Sequence, residues 1–170
     1  QYEIISNIIR ERDTICIMPT GGGKSICYQI PAIVLNGLTI VVSPLISLMK
    51  DQVDTLNSIG INAEYINSTL ELKAIDNIIC RCLNNEIKLL YIAPERLENE
   101  NFKRKLKRLH INQIAIDEAH CVSMWGHDFR KSYRLIKPFI DSLEIRPVIT
   151  AFTATATEVV RNDIIDLLGL

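Results

Sequence analysis

Six short runs of apolar, largely β-branched residues, each followed by a stretch long enough for a helix, constrain this 170-residue chain more than any other feature. The runs cover residues 14–18, 39–43, 63–66, 88–92, 113–117 and 148–153. Most are apolar at successive positions and not at alternate ones, which is how a strand covered on both faces of a parallel sheet reads. Helix-like stretches follow at 24–35, 45–59, 70–83, 98–108, 128–143 and 157–168. Gly60 ends the second of these, and Asn36-Gly37 and Asn84-Asn85 mark turns. Strand and helix in alternation predict an α/β fold, a doubly wound, mostly parallel sheet with helices on both faces. No internal repeat, low-complexity stretch or linker divides the chain, so residues 1–170 are expected to form one domain.

In such a sheet, ligands bind outside the carboxyl ends of the strands. The residues best equipped for chemistry follow the ends of the apolar runs: 20–25, Ser43-Pro44, Pro94-Glu95, 117–120 and 153–155. Scattered in sequence, they are expected to converge on one edge of the fold.

The first of these segments, Met18-Pro19-Thr20-Gly21-Gly22-Gly23-Lys24-Ser25, leaves a strand and opens a helix. Consecutive glycines let the backbone turn tightly and aim N–H groups inward, and the helix N-terminus adds partial positive charge where phosphates would sit. Lys24 would reach the β- and γ-phosphates, and Ser25 would place its hydroxyl on Mg²⁺. The common pattern G-x-x-x-x-G-K-[ST] is met strictly only at Gly23-Lys24-Ser25, because Met18 occupies the first glycine position. The plainer alternative is a glycine-rich turn with a solvated lysine.

A second segment, Ile114-Ala115-Ile116-Asp117-Glu118-Ala119-His120, is an apolar strand ending in adjacent carboxylates. Asp117 is suited to hold Mg²⁺ through water, and Glu118 to orient and deprotonate an attacking water. Taken alone, the pair also reads as an acidic start to the next helix. His120 has no Cys or His partner at zinc spacing, and by itself reads as structural. Together the two segments point to nucleotide hydrolysis.

Bulk properties exclude several classes. The chain is 48% apolar and 23% charged, within the range of globular domains, and no apolar run approaches the roughly 18 residues of a membrane helix, so no membrane partner is expected. The formal net charge of −1 gives no global positive field, so any nucleic-acid contact must be local. Five cysteines (Cys16, Cys27, Cys80, Cys82 and Cys121) with no Cys-x-x-Cys pair argue against a disulfide framework or a zinc site. They fit a reducing, cytoplasmic setting, with Cys16 and Cys27 as small core residues. The first residues, Gln1-Tyr2-Glu3, carry no signal pattern and read as a cut inside a longer protein.

The text around the two motifs resembles the RecQ helicase family. The resemblance is carried by residues 18–25 with Cys27-Tyr28-Gln29-Ile30-Pro31-Ala32, by Val42-Ser43-Pro44-Leu45-Ile46-Ser47-Leu48-Met49-Lys50-Asp51-Gln52-Val53, and by Leu90-Tyr91-Ile92-Ala93-Pro94-Glu95-Arg96-Leu97. The most specific part is Asp117-Glu118-Ala119-His120-Cys121-Val122-Ser123-Met124-Trp125-Gly126-His127-Asp128-Phe129-Arg130, and Phe152-Thr153-Ala154-Thr155-Ala156 resembles the third helicase motif. The resemblance spans the whole chain and implies the first RecA-like, ATP-binding motor domain of an ATP-dependent 3′–5′ DNA helicase, of the kind used in DNA repair and recombination.

It also implies roles. Lys24, Asp117, Glu118 and His120 would be catalytic, and Gln1, Thr20, Gly21, Gly22, Gly23, Lys24 and Ser25 would hold ATP, with Ser25 and Asp117 serving Mg²⁺. Gln1 matches the glutamine that reads the adenine edge, although the aromatic and arginine residues of that motif are not in the chain. The loop from Cys121 to Arg130 would sense single-stranded DNA and couple it to hydrolysis. Ser43, Lys50 and Arg96 would track the DNA backbone, and Thr153 and Thr155 would link two motor domains through the ATP state. The implied partners are single-stranded and partly duplex DNA and a second RecA-like domain of the same parent chain. A piece ending after the third motif is expected to turn over slowly and not to unwind.

Judged without the resemblance, Trp125 and Phe129 are candidate stacking platforms, since stacking a base on an aromatic ring contributes about 1–3 kcal/mol whatever the base. Of the two, Phe129 reads rather as core, at the head of a helix whose apolar face continues through Tyr133 and Ile136. Arg130, Arg134 and Lys137 would share one face of that helix, and Lys103, Arg104, Lys105, Lys107 and Arg108 form a denser cluster. Both sets read by default as solvated faces, and as phosphate contacts if functional. An RNA helicase, a nucleotide switch without turnover and a scaffold remain as alternatives. The loop around Trp125 speaks against the first, Glu118 against the second, and the coincidence of both motifs against the third.

Overall fold

A computed structural model describes all residues from Gln1 to Leu170. Six strands, β1 (Thr14–Ile17), β2 (Leu38–Val42), β3 (Ala63–Ile66), β4 (Leu89–Ile92), β5 (Ile111–Ile116) and β6 (Val148–Thr153), form one sheet in the order β1-β6-β5-β2-β4-β3. Every pairing is parallel. The helices are α1 (Tyr2–Ile9), α2 (Lys24–Val34), α3 (Ile46–Ser58), α4 (Leu72–Leu83), α5 (Glu100–Leu106), α6 (Ile136–Asp141) and α7 (Glu158–Leu168). The expected α/β class, with its doubly wound parallel sheet, is what the chain adopts.

The apolar runs are continuous because each face of the sheet meets its own layer of helices. Val41, Leu89, Tyr91 and Ala115 pack with Ile8, Tyr28, Met49 and Val53 of α1, α2 and α3. The intervening residues Ile40, Val42, Leu90, Ile114 and Ile116 pack on the opposite side with Ile75, Phe102, Phe139 and Ile164 of α4, α5, α6 and α7. Side chains alternate between faces while both faces are dry, so no polar residue marks the period. Cys16 and Cys27 are buried there as expected, and all five cysteines are free. No helix is long and apolar enough to cross a membrane.

Two expectations need correction. The stretch 128–143 is not one helix. Residues 128–130 are extended or turned, Lys131–Leu135 is a 3₁₀ turn, and only Ile136–Asp141 is α-helical. Tyr133 is fully buried and its hydroxyl donates to the Asp117 carbonyl at 2.7 Å, so the chain bends to satisfy the strand end in place of continuing a helix. Arg130, Arg134 and Lys137 therefore share no helix face. Residues 98–108 likewise divide into the 3₁₀ turn Pro94–Glu98 and α5, whose N-cap Asn99 accepts from the Phe102 N–H at 2.9 Å.

Candidate nucleotide site and nucleic-acid loop

Strand order brings the site together. β1, β6 and β5 lie side by side, so the segments leaving their carboxyl ends are the glycine loop, Thr153–Thr155 and Asp117–His120. The Met18 N–H donates to the Thr153 carbonyl at 3.0 Å, which fixes the root of the loop against β6. A groove of about 300 Å³ runs between these segments, lined among others by Thr20, Pro44, Glu118, His120, Asp128 and Thr155. A larger hollow of about 400 Å³ at the opposite ends of the strands is lined in part by Asp13 and Arg146, whose ion pair of 2.6 Å occupies their charges.

The loop suits a phosphate. Gly23 is the N-cap of α2 with φ +80, and no side chain caps the helix, so its first N–H groups are free for an anion. A Cβ at Gly22 would meet the Pro19 carbonyl at 2.9 Å, and one at Gly23 would meet the Gln1 amide nitrogen at 2.2 Å. The Lys24 ammonium donates to the Met18 carbonyl at 3.2 Å, within its own loop. The Gln1 amide donates to the Gly22 carbonyl at 3.0 Å, so it braces the outside of the loop.

Asp117 closes β5. It is 8% exposed, and burial followed by the charge of Glu118 pushes its carboxyl up to about 6, against the pull of the Glu118 N–H, Lys24 and Ser43. Asp117 Oδ1 accepts from the Glu118 N–H at 3.0 Å. Glu118 itself sits in the left-handed region, φ 48 and ψ 45, a conformation that costs a non-glycine residue about 1–2 kcal/mol. That twist carries the Glu118 side chain to the groove while Asp117 stays beneath it.

His120 is buried, and its Nδ1 lies 2.9 Å from Thr153 Oγ1 and 3.3 Å from Glu118 Oε2. The Thr153 hydroxyl donates to the Thr155 carbonyl at 3.1 Å, so it accepts from His120, which places the imidazole hydrogen on Nδ1. Burial and the neighbouring His127 lower the His120 pKa and keep the ring neutral. His120 thus joins the end of β5 to the end of β6. Its neighbour His127 stacks on it, with centroids 4.0 Å apart and planes inclined by 20°.

The loop after His120 folds back on this centre. A Cβ at Gly126 would meet the His120 carbonyl at 2.3 Å, a close approach that only glycine permits. Trp125 projects outward, 78% exposed, next to an exposed Met124. Phe129 is 40% exposed with the Arg134 guanidinium 5.4 Å from its ring centre, so its expected alternative as a core residue is corrected: Tyr133 takes the buried position. Arg130 binds Asp128 through Nε and Nη2, both at 3.1 Å, and reaches the Pro44 carbonyl at 3.4 Å, so it pins the loop to the segment after β2.

The remaining sites divide. Lys50 is exposed on α3 and Thr155 is exposed at the groove. Thr153 is fully buried and serves His120. Ser43 is 2% exposed, which corrects its expected place on the backbone-tracking surface: the end of β2 is covered, and its hydroxyl reaches no solvent. Arg96 is turned inward, donating to the carbonyls of Asn67 at 2.6 Å and Leu70 at 3.2 Å. In the basic cluster, Lys103 pairs with Glu100 and Lys105 with Asp76. Tyr133, His127 and Ser123 were read in the sequence without the parts they take in the site. Only their position beside the acidic motif distinguishes them in sequence.

Comparison with known proteins agrees with this geometry. The DEAD/DEAH box helicase family profile matches residues 1–162. The chain is 57% identical over 165 residues to the ATP-dependent DNA helicase RecQ of Bacillus subtilis, covering 96% of this chain and 28% of that protein. It is 43% identical over 170 residues to the RecQ of Haemophilus influenzae, covering 100% of this chain and 27% of that one. The chain therefore spans little more than a quarter of the length of these relatives. Among solved structures, the Hef helicase domain of Pyrococcus furiosus superposes with a TM-score of 0.78 at 17% identity over 99% of this chain and 35% of that one. The helicase MrfA bound to DNA and AMPPNP superposes with 0.78 at 20%, covering 99% and 25% of the two chains. At these identities the structures share the fold. With its profile matched from the first residue to 162, the chain belongs to the DEAD/DEAH box helicase family.

Proposed function

We propose that residues 1–170 are the first RecA-like motor domain of a RecQ-type ATP-dependent 3′–5′ DNA helicase, one that binds and hydrolyses Mg·ATP and couples this to movement on single-stranded DNA. The observation that carries the reading is the convergence of the Lys24 loop, Asp117-Glu118 and the His120–Thr153 bond at the carboxyl edge of three adjacent strands.

The free N–H groups at the start of α2 and the Lys24 ammonium would hold the phosphates, with Thr20 at the rim. The oxygen donors available, Ser25, Asp117 and Glu118, suit Mg²⁺, which binds hard oxygens and keeps several waters. Mg²⁺, when bound, neutralises charge on the phosphates. Glu118 orients and deprotonates the attacking water from the groove. Asp117 is held from behind by its own main chain, through the Tyr133 hydroxyl on its carbonyl. Gln1, matched to the adenine-reading position, lies on the loop, where its amide donates to the Gly22 carbonyl and is at hand for a base edge. Trp125 and Phe129 stack bases, Arg130 and Lys50 meet phosphates, and the Gly126–His120 contact passes the state of the loop to Glu118. The partners are single-stranded and partly duplex DNA and a second RecA-like domain of the parent chain. The setting is cytoplasmic, in repair and recombination.

Without a second domain to supply an arginine finger, a device with an effect of about 10³–10⁵ on turnover, the 170-residue chain hydrolyses slowly and does not unwind. The test is Mg²⁺-dependent ATP hydrolysis with and without single-stranded DNA, alongside Lys24→Ala and an RNA arm. Hydrolysis that needs Lys24 and rises with DNA but not RNA supports the reading. Nucleotide binding that is indifferent to Lys24, or unwinding by this chain alone, overturns it.

A further inference from the structure

Among the buried side-chain oxygens and nitrogens of this chain, Ser43 Oγ alone has no hydrogen-bond partner. Leaving a buried hydroxyl unpaired costs about 1–3 kcal/mol, so a lone case at a site asks for a reason. Its place supplies one. β2 and β5 pair in parallel with Val42 beside Ile116, so the next residues, Ser43 and Asp117, are neighbours on the same face of the sheet. Their main chains are fixed independently of the hydroxyl. The Asp117 N–H donates to the Val42 carbonyl at 2.9 Å, and the Ser43 N–H to the Ile92 carbonyl at 3.1 Å. The Ser43 hydroxyl is near enough to favour the ionised form of Asp117, yet it falls outside hydrogen-bonding geometry.

We propose that Ser43 is a positioning residue for magnesium: its hydroxyl donates to the Asp117 carboxylate and fixes the orientation in which that carboxylate meets the waters of the ion. The inference rests on the reading of Asp117 given above. Oδ1 already accepts from the Glu118 N–H. A second donor from β2 holds the carboxylate on two sides, so rotation about its terminal bond is stopped and the remaining lone pairs face the groove. Closing that short gap gives the Ser43 hydroxyl the partner it lacks. This role replaces the contact with the DNA backbone expected from sequence, which its burial forbids.

The experiment measures equilibrium binding of a fluorescent ADP to the 170-residue chain with and without MgCl₂, for wild type, Ser43→Ala, Ser43→Thr and Asp117→Asn. The quantity read is the ratio of the two affinities. Ser43→Ala is expected to leave the Mg²⁺-free affinity and the melting temperature of the free chain unchanged or raised, since it removes only an unpaired hydroxyl. It is expected to cut the gain in affinity from Mg²⁺ by about three- to tenfold, the scale of one or two hydrogen bonds lost from an ordered carboxylate. Ser43→Thr, which keeps the hydroxyl, restores the gain. Equal gains in Ser43→Ala and wild type overturn the inference, and so does a parallel loss of affinity with and without Mg²⁺. If Asp117→Asn keeps the full gain, the assignment of Asp117 fails first and the role of Ser43 falls with it. A loss of single-stranded DNA affinity in Ser43→Ala with the Mg²⁺ gain intact would return the residue to the DNA surface.

Discussion

Ser123 Oγ donates to Asp163 Oδ2 at 2.6 Å and accepts from the Trp125 N–H at 3.1 Å, so one buried hydroxyl ties the exposed tryptophan to α7. The bond to Asp163 is charge-assisted and spans two elements that share no sequence neighbourhood. Breaking it leaves the Ser123 donor unpaired in the interior. Asp163→Ala is expected to cost about 1–2 kcal/mol of stability and to loosen the loop. Trp125 is the single tryptophan of the chain, so its fluorescence anisotropy reports the loop directly. A fall in both stability and anisotropy is expected. Stability lost with anisotropy unchanged would mean that Asp163 anchors α7 and not the loop.

Asp117 gives the chain a pH signature. Its folded pKa is raised from the ordinary 3.8 to about 6, so the native state binds the proton more tightly than the unfolded one. A raised carboxyl destabilises the fold once it must ionise: the penalty is absent below about pH 4, grows between about 4 and 6, and is complete above. A shift of about two units corresponds to at most about 3 kcal/mol. Asp117→Asn keeps an oxygen to accept from the Glu118 N–H and removes the charge. In urea unfolding without nucleotide it is expected to stabilise the chain by about 1–3 kcal/mol near pH 7.5 and by almost nothing near pH 4. Equal stabilisation at both pH values would mean that packing, not ionisation, separates the two chains.

What was legible in the sequence follows from range. The six strands could be read because both faces of the sheet are dry, and Lys24, Asp117 and Glu118 because each motif is contiguous and sits at a strand end. The stretch 128–143 misled because its apolar spacing serves a 3₁₀ turn that buries Tyr133 beneath Asp117, a contact between residues 16 apart. The bonds that complete the site, His120 to Thr153 and the neighbourhood of Ser43 and Asp117, depend on strand order, with β6 and β2 flanking β5. Nothing local encodes that order. Ser43 was assigned to the DNA backbone by the resemblance, which carries no information on burial, and it lies covered one residue beyond β2.

Arg96 separates a structural role from a DNA contact. Its guanidinium donates to the Asn67 and Leu70 carbonyls and so closes the segment between β3 and α4 onto the turn after β4. Bonds to a charged donor contribute about 1.5–3 kcal/mol each when well sheltered. Partly exposed as it is, Arg96→Ala is expected to cost about 1–2 kcal/mol in chemical denaturation. Any loss of single-stranded DNA affinity is expected to follow from that loosening. Unchanged stability with weakened, less salt-dependent DNA binding would make Arg96 a phosphate contact instead.

Glu118 sets function against stability at a single residue. Its left-handed backbone is strained for any residue with a Cβ, and the same twist delivers the carboxylate to the groove. Glu118→Gln keeps the strain and removes the base, so ATP hydrolysis is expected to fall by at least about 100-fold while Mg·ATP binding survives. Glu118→Gly removes the base and the strain together. Both variants lift the negative charge that presses on Asp117, so the difference between them sets the backbone strain against the side chain's contact with His120. Relief of the left-handed strain, about 1–2 kcal/mol, exceeds the entropy that glycine adds to the unfolded chain, about 0.4–1 kcal/mol. Glu118→Gly is therefore expected to be more stable than Glu118→Gln by about 0.5–1 kcal/mol and equally inactive. If the glycine variant proves the less stable of the two, the contact of Glu118 with His120 outweighs the strain, and the twist at this position is held in place by that contact and not imposed by the end of β5.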